Sequence, residues 1–235
     1  MRIIIRLLAM VLCVLFVKGA VAQSSQLPGN VYVKGYSGIS AITDKKIGQE
    51  LVAPTGYVGE ISYKPGWLSG VAFGYRYKSW SIEMAWDYRR NGHSHVIFSN
   101  ENPPPPDPFL NTLPQRIKIN SGHSAASLLS LNGYYNYDIG SSLEPYFGGG
   151  FVWVNDIRVV LEGVNEERIY SADNFMSFQF MGGLNISIND NLALYGEIRY
   201  LGISNIDMSQ KRGEGLIVNL DYEPFSLVVG VNYAF

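Results

Sequence analysis

Charge and sulfur are what this sequence is short of. Only 16% of its 235 residues are charged, against roughly 25% in an ordinary soluble domain, so something other than water faces part of the chain. A basic excess is also missing: 18 Lys and Arg against 20 Asp and Glu cannot neutralise a phosphate backbone, which excludes nucleic acid as a partner. No stretch after residue 23 holds about 18 consecutive apolar residues, so no transmembrane helix is expected there. What is plentiful is glycine, at 25 residues, and tyrosine, at 16. That composition favours sheets and turns over helices and excludes a coiled coil or a disordered chain.

The lone cysteine, Cys13, lies inside an apolar run from Leu7 to Val17, preceded by Arg2 and Arg6 and followed by Ala20-Val21-Ala22. This is the pattern of a secretory signal peptide. The run is too short to cross a bilayer as a helix, which takes ~20 residues, and Lys18 interrupts it. Leu12 is not the small residue that a lipoprotein cysteine would need before it. The expected organisation is therefore a signal peptide over 1–22 and one domain over 23–235. Removal of the signal takes Cys13 with it and rules out disulfide, thiolate and zinc–cysteine chemistry. Losing Arg2, Arg6 and Lys18 leaves 15 basic against 20 acidic residues, a net charge near −5.

The rest of the chain alternates. Phe225, Leu227, Val229, Val231, Tyr233 and Phe235 share one face, against Ser226, Val228, Gly230, Asn232 and Ala234 on the other. Trp80, Ile82, Met84, Trp86 and Tyr88 oppose Ser81, Glu83, Ala85, Asp87 and Arg89 in the same way, and Leu192 to Tyr200 repeats the pattern with Glu197 and Arg199 on the polar face. Eight such segments are expected, near 29–40, 67–78, 79–90, 125–139, 144–155, 174–188, 191–203 and 225–235. Tight turns at Lys78-Ser79, Gly140-Ser141-Ser142 and Asn189-Asp190-Asn191 alternate with long connections at 41–66, 91–124, 156–173 and 204–224, read as polar loops. Short turns at one rim and long loops at the other are the mark of an all-β, eight-stranded antiparallel up-and-down transmembrane β-barrel. A lipocalin-like barrel or sandwich is the soluble alternative. Against it, glycines and small residues (Gly70, Ala72, Gly74, Ala85, Gly230, Ala234) alternate with charges on the polar face, which suits a narrow interior filled by a few long ion-paired side chains.

The stripe Val229, Val231, Tyr233, Phe235 resembles the C-terminal signal read by the barrel assembly machinery. Together with Glu144-Pro145-Tyr146-Phe147-Gly148-Gly149-Gly150 and Leu192-Ala193-Leu194-Tyr195-Gly196-Glu197-Ile198-Arg199-Tyr200, it is similar to the opacity-protein-like group of small OmpA-type outer-membrane barrels. The resemblance spans about residues 29–235 and implies an outer-membrane location, with loops extracellular and termini periplasmic.

Lys34, Arg76, Glu83, Asp87, Glu144, Glu197 and Arg199 are expected to form a structural ion network in the lumen. Tyr32, Trp67, Tyr77, Trp80, Tyr88, Tyr137, Trp153, Tyr195 and Tyr233 read as interfacial girdles. The second long connection carries His93, His95 and His123 with Pro103, Pro104, Pro105 and Pro106, a stiff polyproline II segment, and is the candidate recognition loop. Three histidines with Glu101 or Asp107 could in principle hold a metal, and His93-Ser94 or His123-Ser124 could serve a serine hydrolase. A plain polar loop explains the same residues, so no cofactor, metal or catalytic residue is expected.

The function expected is non-enzymatic: surface interaction or adhesion, or envelope integrity, through the extracellular loops. A narrow porin-like channel for small solutes or ions and a lipid A-modifying enzyme are the alternatives. Expected partners are outer-membrane lipid and lipopolysaccharide, the assembly machinery and host or partner surface proteins, with the chain a monomer.

Overall fold

The computed structural model describes residues 31–47, 57–100, 116–119, 121–162, 167–210 and 217–235; the signal-peptide segment 1–22 lies outside them. Thirteen strands make up these residues: β1 (Val31–Ile42), β2 (Lys45–Ile47), β3 (Tyr57–Tyr63), β4 (Gly66–Tyr77), β5 (Trp80–Asn100), β6 (Arg116–Ile119), β7 (Ser121–Asn136), β8 (Leu143–Glu162), β9 (Glu167–Ala172), β10 (Phe175–Ser187), β11 (Leu192–Gln210), β12 (Ile217–Tyr222) and β13 (Pro224–Ala234). Eight of them, β1, β4, β5, β7, β8, β10, β11 and β13, pair antiparallel in chain order. β13 then pairs with β1 from Ala234↔Tyr32 to Pro224↔Ile42 and closes the ring. The expected barrel is thus the observed one, and each expected segment overlaps one of these eight strands.

Local chemistry shapes the short-turn rim. Lys78 takes a positive φ of 55° in the two-residue β4–β5 hairpin, as a primed turn requires. Its carbonyl accepts a hydrogen bond from Arg76 Nε at 2.9 Å. Between β7 and β8 Gly140 turns at φ 70°, its N–H bound to Asp138 Oδ1 at 2.8 Å. At the β10–β11 turn Asn189 Oδ1 accepts from the N–H groups of Asn191 and Leu192.

From this rim outward the barrel has two sections. In the first, Phe73, Val71, Ile82, Met84, Leu131, Phe151, Phe180 and Val229 face outward and are exposed. The belt runs from Trp80 to just below Arg90, and ten residues at ~3.3 Å on strands tilted ~40° span about 25 Å, the thickness of a hydrocarbon core. Trp67, Trp80 and Trp153 stand exposed near its edges.

The second section corrects the expectation of long polar loops. β5, β7, β8 and β11 continue well past the belt, and β3, β6, β9 and β12 pair onto them. Inside this extension lies an apolar core that includes Ile42, Ile61, Leu128, Val152, Val154, Ile157, Val159, Leu161, Leu201, Ile203, Met208 and Tyr222. A bulge at Asn155 marks the transition: Leu128 pairs with Val154 and Ser127 with Asp156. The extra residue resets the alternation of β8, so that Val154 and Ile157 both point inward.

Candidate functional site

The lumen of the first section is the part of the molecule in which charged side chains converge. It is neutral in sum, with four cations (Lys34, Arg76, Arg89, Arg199) and four carboxylates (Glu83, Asp87, Glu144, Glu197). Arg89 was not among the residues expected in the network, although it continues the period of two after Asp87; it is fully buried.

The residues gather in three groups. Nearest the short-turn rim, Arg76 and Glu144 form a two-pronged pair, with Nη1 to Oε2 at 2.9 Å, and Asn185 donates to the same Glu144 oxygen at 3.4 Å. Further in, Lys34 Nζ lies 2.7 Å from Glu83 Oε2. Tyr32 and Tyr134 each donate a hydroxyl hydrogen bond to Glu83 at 3.2 Å. The Lys34 ammonium stands 4.9–5.7 Å from the ring centroids of Tyr32, Tyr134, Tyr146 and Tyr195, a cage in which each ring face adds attraction to the ion pair. Above it, Asp87 is shared by Arg89 at 3.0 Å and Arg199 at 3.6 Å. Arg199 Nε also binds Glu197, and its guanidinium lies 4.3 Å over the Tyr36 ring.

Glycine makes the room for these rings. A Cβ on Gly74 would overlap Tyr32, one on Gly70 would overlap Tyr36, and the same holds for Gly148 with Tyr134, Gly183 with Tyr146 and Gly230 with Tyr195. Each tyrosine therefore lies across an inward glycine of a neighbouring strand. Tyr32 and Tyr195 accordingly leave the expected interfacial girdle, because both are buried in the lumen. The space left at the short-turn end is a cavity of about 20 Å³ lined by Tyr32, Lys34, Arg76 and Asn136 among others, room for about one water.

The histidines are not in a loop. His93 and His95 lie on β5 and His123 on β7. His93 is 2% exposed, its Nε2 2.9 Å from Ser124 Oγ and its ring edge-on to Tyr63 at 5.3 Å. A residue buried in that way cannot meet a partner from solution, which removes it from the candidate recognition loop. His95 reaches Ser62 Oγ at 3.3 Å. The serine paired with His93 is Ser124, not its neighbour Ser94, and Ser124 is fully buried. Among the described residues no group of three His, Cys, Asp or Glu could hold a metal. Pro103, Pro104, Pro105, Pro106, Glu101 and Asp107 lie outside the described residues. Beside His93, burial pushes the Tyr63 phenol up to about 12, and burial likewise raises that of Tyr222.

In keeping with this closed, lipid-belted barrel of eight strands, a family profile described as "Outer membrane protein beta-barrel domain" matches residues 9–235. The chain belongs to that family. It is a multi-pass β-barrel of the outer membrane, with its short turns and termini periplasmic and its long end extracellular. Among solved structures it is similar to the outer membrane protein OprG from Pseudomonas aeruginosa, at 13% identity and TM-score 0.58, covering 91% of this chain and 99% of that one. It is also similar to Neisserial surface protein A (16% identity, TM-score 0.49, 88% and 97% covered). The outer membrane protein AlkL is a third (19%, 0.48, 93% and 96%). No curated protein matches the sequence.

The stripe Val229, Val231, Tyr233 and Phe235 lies on the lipid face, each residue exposed, and Phe235 N–H donates to Val31 O at 3.0 Å across the closing seam.

Proposed function

We propose that this barrel acts at the cell surface as a non-enzymatic interaction protein, and that its lumen does not conduct. The observation that carries the reading is a lumen filled twice over, by the neutral charge network within the belt and by the apolar core above it. An eight-stranded interior has room for side chains and little more. In both histidine–serine contacts described for the outer section, His93 with Ser124 and His95 with Ser62, the serine is buried, which leaves a substrate no access to its hydroxyl. What remains free to work is the extracellular end, where β5 and β6 carry the 101–115 connection and its proline run.

The test has three arms. Reconstituted protein in planar bilayers is expected to give no conductance steps, and discrete steps would favour the channel. Replacing 101–115 by a Gly-Ser linker is expected to keep heat-modifiable gel mobility while lowering adherence of expressing cells to an epithelial monolayer. Unchanged adherence would sink the loop assignment. Lipid A mass spectra are expected to be the same with and without expression, and a new lipid A species would establish an enzyme. For assembly, deleting Phe235 is expected to lower the amount of folded protein in the outer membrane.

A further inference from the structure

Just above the outer aromatic edge, the sheet sets three cations side by side on the face that points away from the lumen. Arg90 of β5 and Arg158 of β8 are both paired to Ala125 of β7, so they share one cross-strand row and their Cα atoms lie about 10 Å apart at ~4.8 Å per strand. Two residues further out on β5 is Gly92, and the stem of Lys64 lies over it: a Cβ on Gly92 would meet Lys64 Cβ and Cδ at 3.9 Å. Lys64 N–H also donates to Gly92 O at 2.8 Å. His123 pairs with Gly92 from the other side. Lys64 and Arg90 are exposed, and the Arg158 side chain is 53% exposed. The carboxylates placed near this group are Asp156, 2.6 Å from Arg158 Nε, and Asp44, whose Oδ1 accepts from the Tyr63 N–H at 3.3 Å. Among the described residues no carboxylate forms an ion pair with Lys64 or Arg90.

Two further observations fix its depth and its partner. Trp67 pairs with Arg90 across β4 and β5, and its ring stands 5.6 Å from that of Tyr88. Trp86 and Trp153 face outward in one cross-strand row with Leu129, four residues back from Arg90 along β5 and five back from Arg158 along β8. Aromatics of this kind mark the boundary between hydrocarbon and headgroups. The cations therefore sit at the depth of the outer-leaflet headgroups, with an apolar wall of Trp86, Leu129 and Trp153 beneath them. Asp207, Asp221 and Glu223 lie further round, on β11, on β12 and just before β13, while Asp173 follows β9, whose Ala172 pairs with Ile157 beside Arg158.

We propose that Lys64, Arg90 and Arg158 form a docking site for the phosphate groups of an outer-leaflet glycolipid of the lipopolysaccharide class, its acyl chains lying along β5, β7 and β8. Guanidinium forks bind phosphate oxygens two at a time, and Lys64 adds a point charge above them. The site is independent of whatever the extracellular connections recognise.

Native mass spectrometry on the purified full-length barrel in detergent, offered bisphosphorylated lipid A or the same lipid dephosphorylated, tests this. At least a tenfold preference for the phosphorylated lipid is expected. The double variant Arg90→Gln, Arg158→Gln is expected to bind it no better than the dephosphorylated one, while Asp207→Asn on the opposite flank keeps the preference. Heat-modifiable mobility reports folding of the variants, and the comparison of the two lipids on the unchanged chain decides the matter even where a variant fails to fold. Equal retention of the two lipids overturns the proposal, as does a preference that survives in the folded double variant. So does binding of a sulfated polysaccharide with no discrimination between the lipids, which would make the patch a site for soluble polyanions.

Discussion

The two sections of the barrel are inversions of each other. Within the bilayer the outside is oily and the inside carries four ion-paired cations; beyond it the outside is polar and the inside is an apolar core. One strand shows the exchange. Inward positions of β11 read Ala193, Tyr195, Glu197, Arg199, then Leu201 and Ile203; its outward ones read Leu194, Ile198, Tyr200, then Ser204 and Asp207. The backbone ladder runs through both sections, with a bulge on β8 and a register shift on β11 where they meet. The solvent outside the wall decides what is placed within it.

Removing one member of a buried pair is the largest perturbation of the inner section. Glu83→Leu leaves the Lys34 ammonium buried without its carboxylate and takes the acceptor from Tyr32 and Tyr134. A loss of about 3–5 kcal/mol is expected, read from urea unfolding in lipid vesicles, with Lys34→Met, Glu83→Leu together recovering much of it. If the single and double variants are equally unstable, the charges are not acting as a pair. The counterpart in the outer section is Leu201→Ala, fully buried, with an expected cost of about 3 kcal/mol. Its effect should show first as faster protease cutting of the extracellular extension, the barrel keeping its heat-modifiable mobility. A simultaneous loss of both would mean that the sections unfold as one unit.

Position on the outward face gives a sharper contrast. Ile198→Arg, in the lipid belt, is expected to cost about 2–4 kcal/mol, whereas Ser204→Arg, six residues on along the same strand, is expected to stay within about 0.5 kcal/mol. Equal costs would place the membrane boundary elsewhere. The smallest effect is at alkaline pH. The Tyr63 phenol, its oxygen buried, is held up to about 12 from an ordinary value near ~10. The stability tied to its neutral form is complete below pH ~10 and is lost as pH rises through about 12. Tyr63→Phe is expected to shrink the drop in stability of the outer section across that window, and an unchanged drop would assign it to another group.

The inner section was legible in the sequence because period-two alternation and the hydrophobic face agree over whole strands: Trp80 to Tyr88 and Phe225 to Phe235 give both register and facing. The outer section was not, for two physical reasons. At Arg199–Leu201 the apolar set changes faces, which reads as a loss of pattern when one side is assumed oily throughout. At Asn155 a bulge shifts the phase, so Val154 and Ile157 share a face at a spacing no strand template contains. The lumen charges were readable as a list of inward positions but not as groups, because Glu83, Glu144 and Asp87 lie two to four strands away from Lys34, Arg76 and Arg199. The tyrosine cage escaped for a related reason: Tyr32 and Tyr195 near strand ends look like girdle residues until the register places Gly74 and Gly230 beneath their rings.

The contact between Arg199 and Asp87 has a mechanical side. β11 and β5 stand four strands apart in a ring of eight, on opposite walls, and the 3.6 Å contact between their side chains runs across the diameter. A hollow tube under the sideways squeeze of a bilayer would flatten along one axis. A strut across the bore, fixed by Glu197 at one wall and Arg89 at the other, resists both narrowing and widening along its line. The cross-section is therefore stiff, and a pull on an extracellular loop is carried down the wall as a tilt of the whole cylinder instead of being absorbed in a change of its shape.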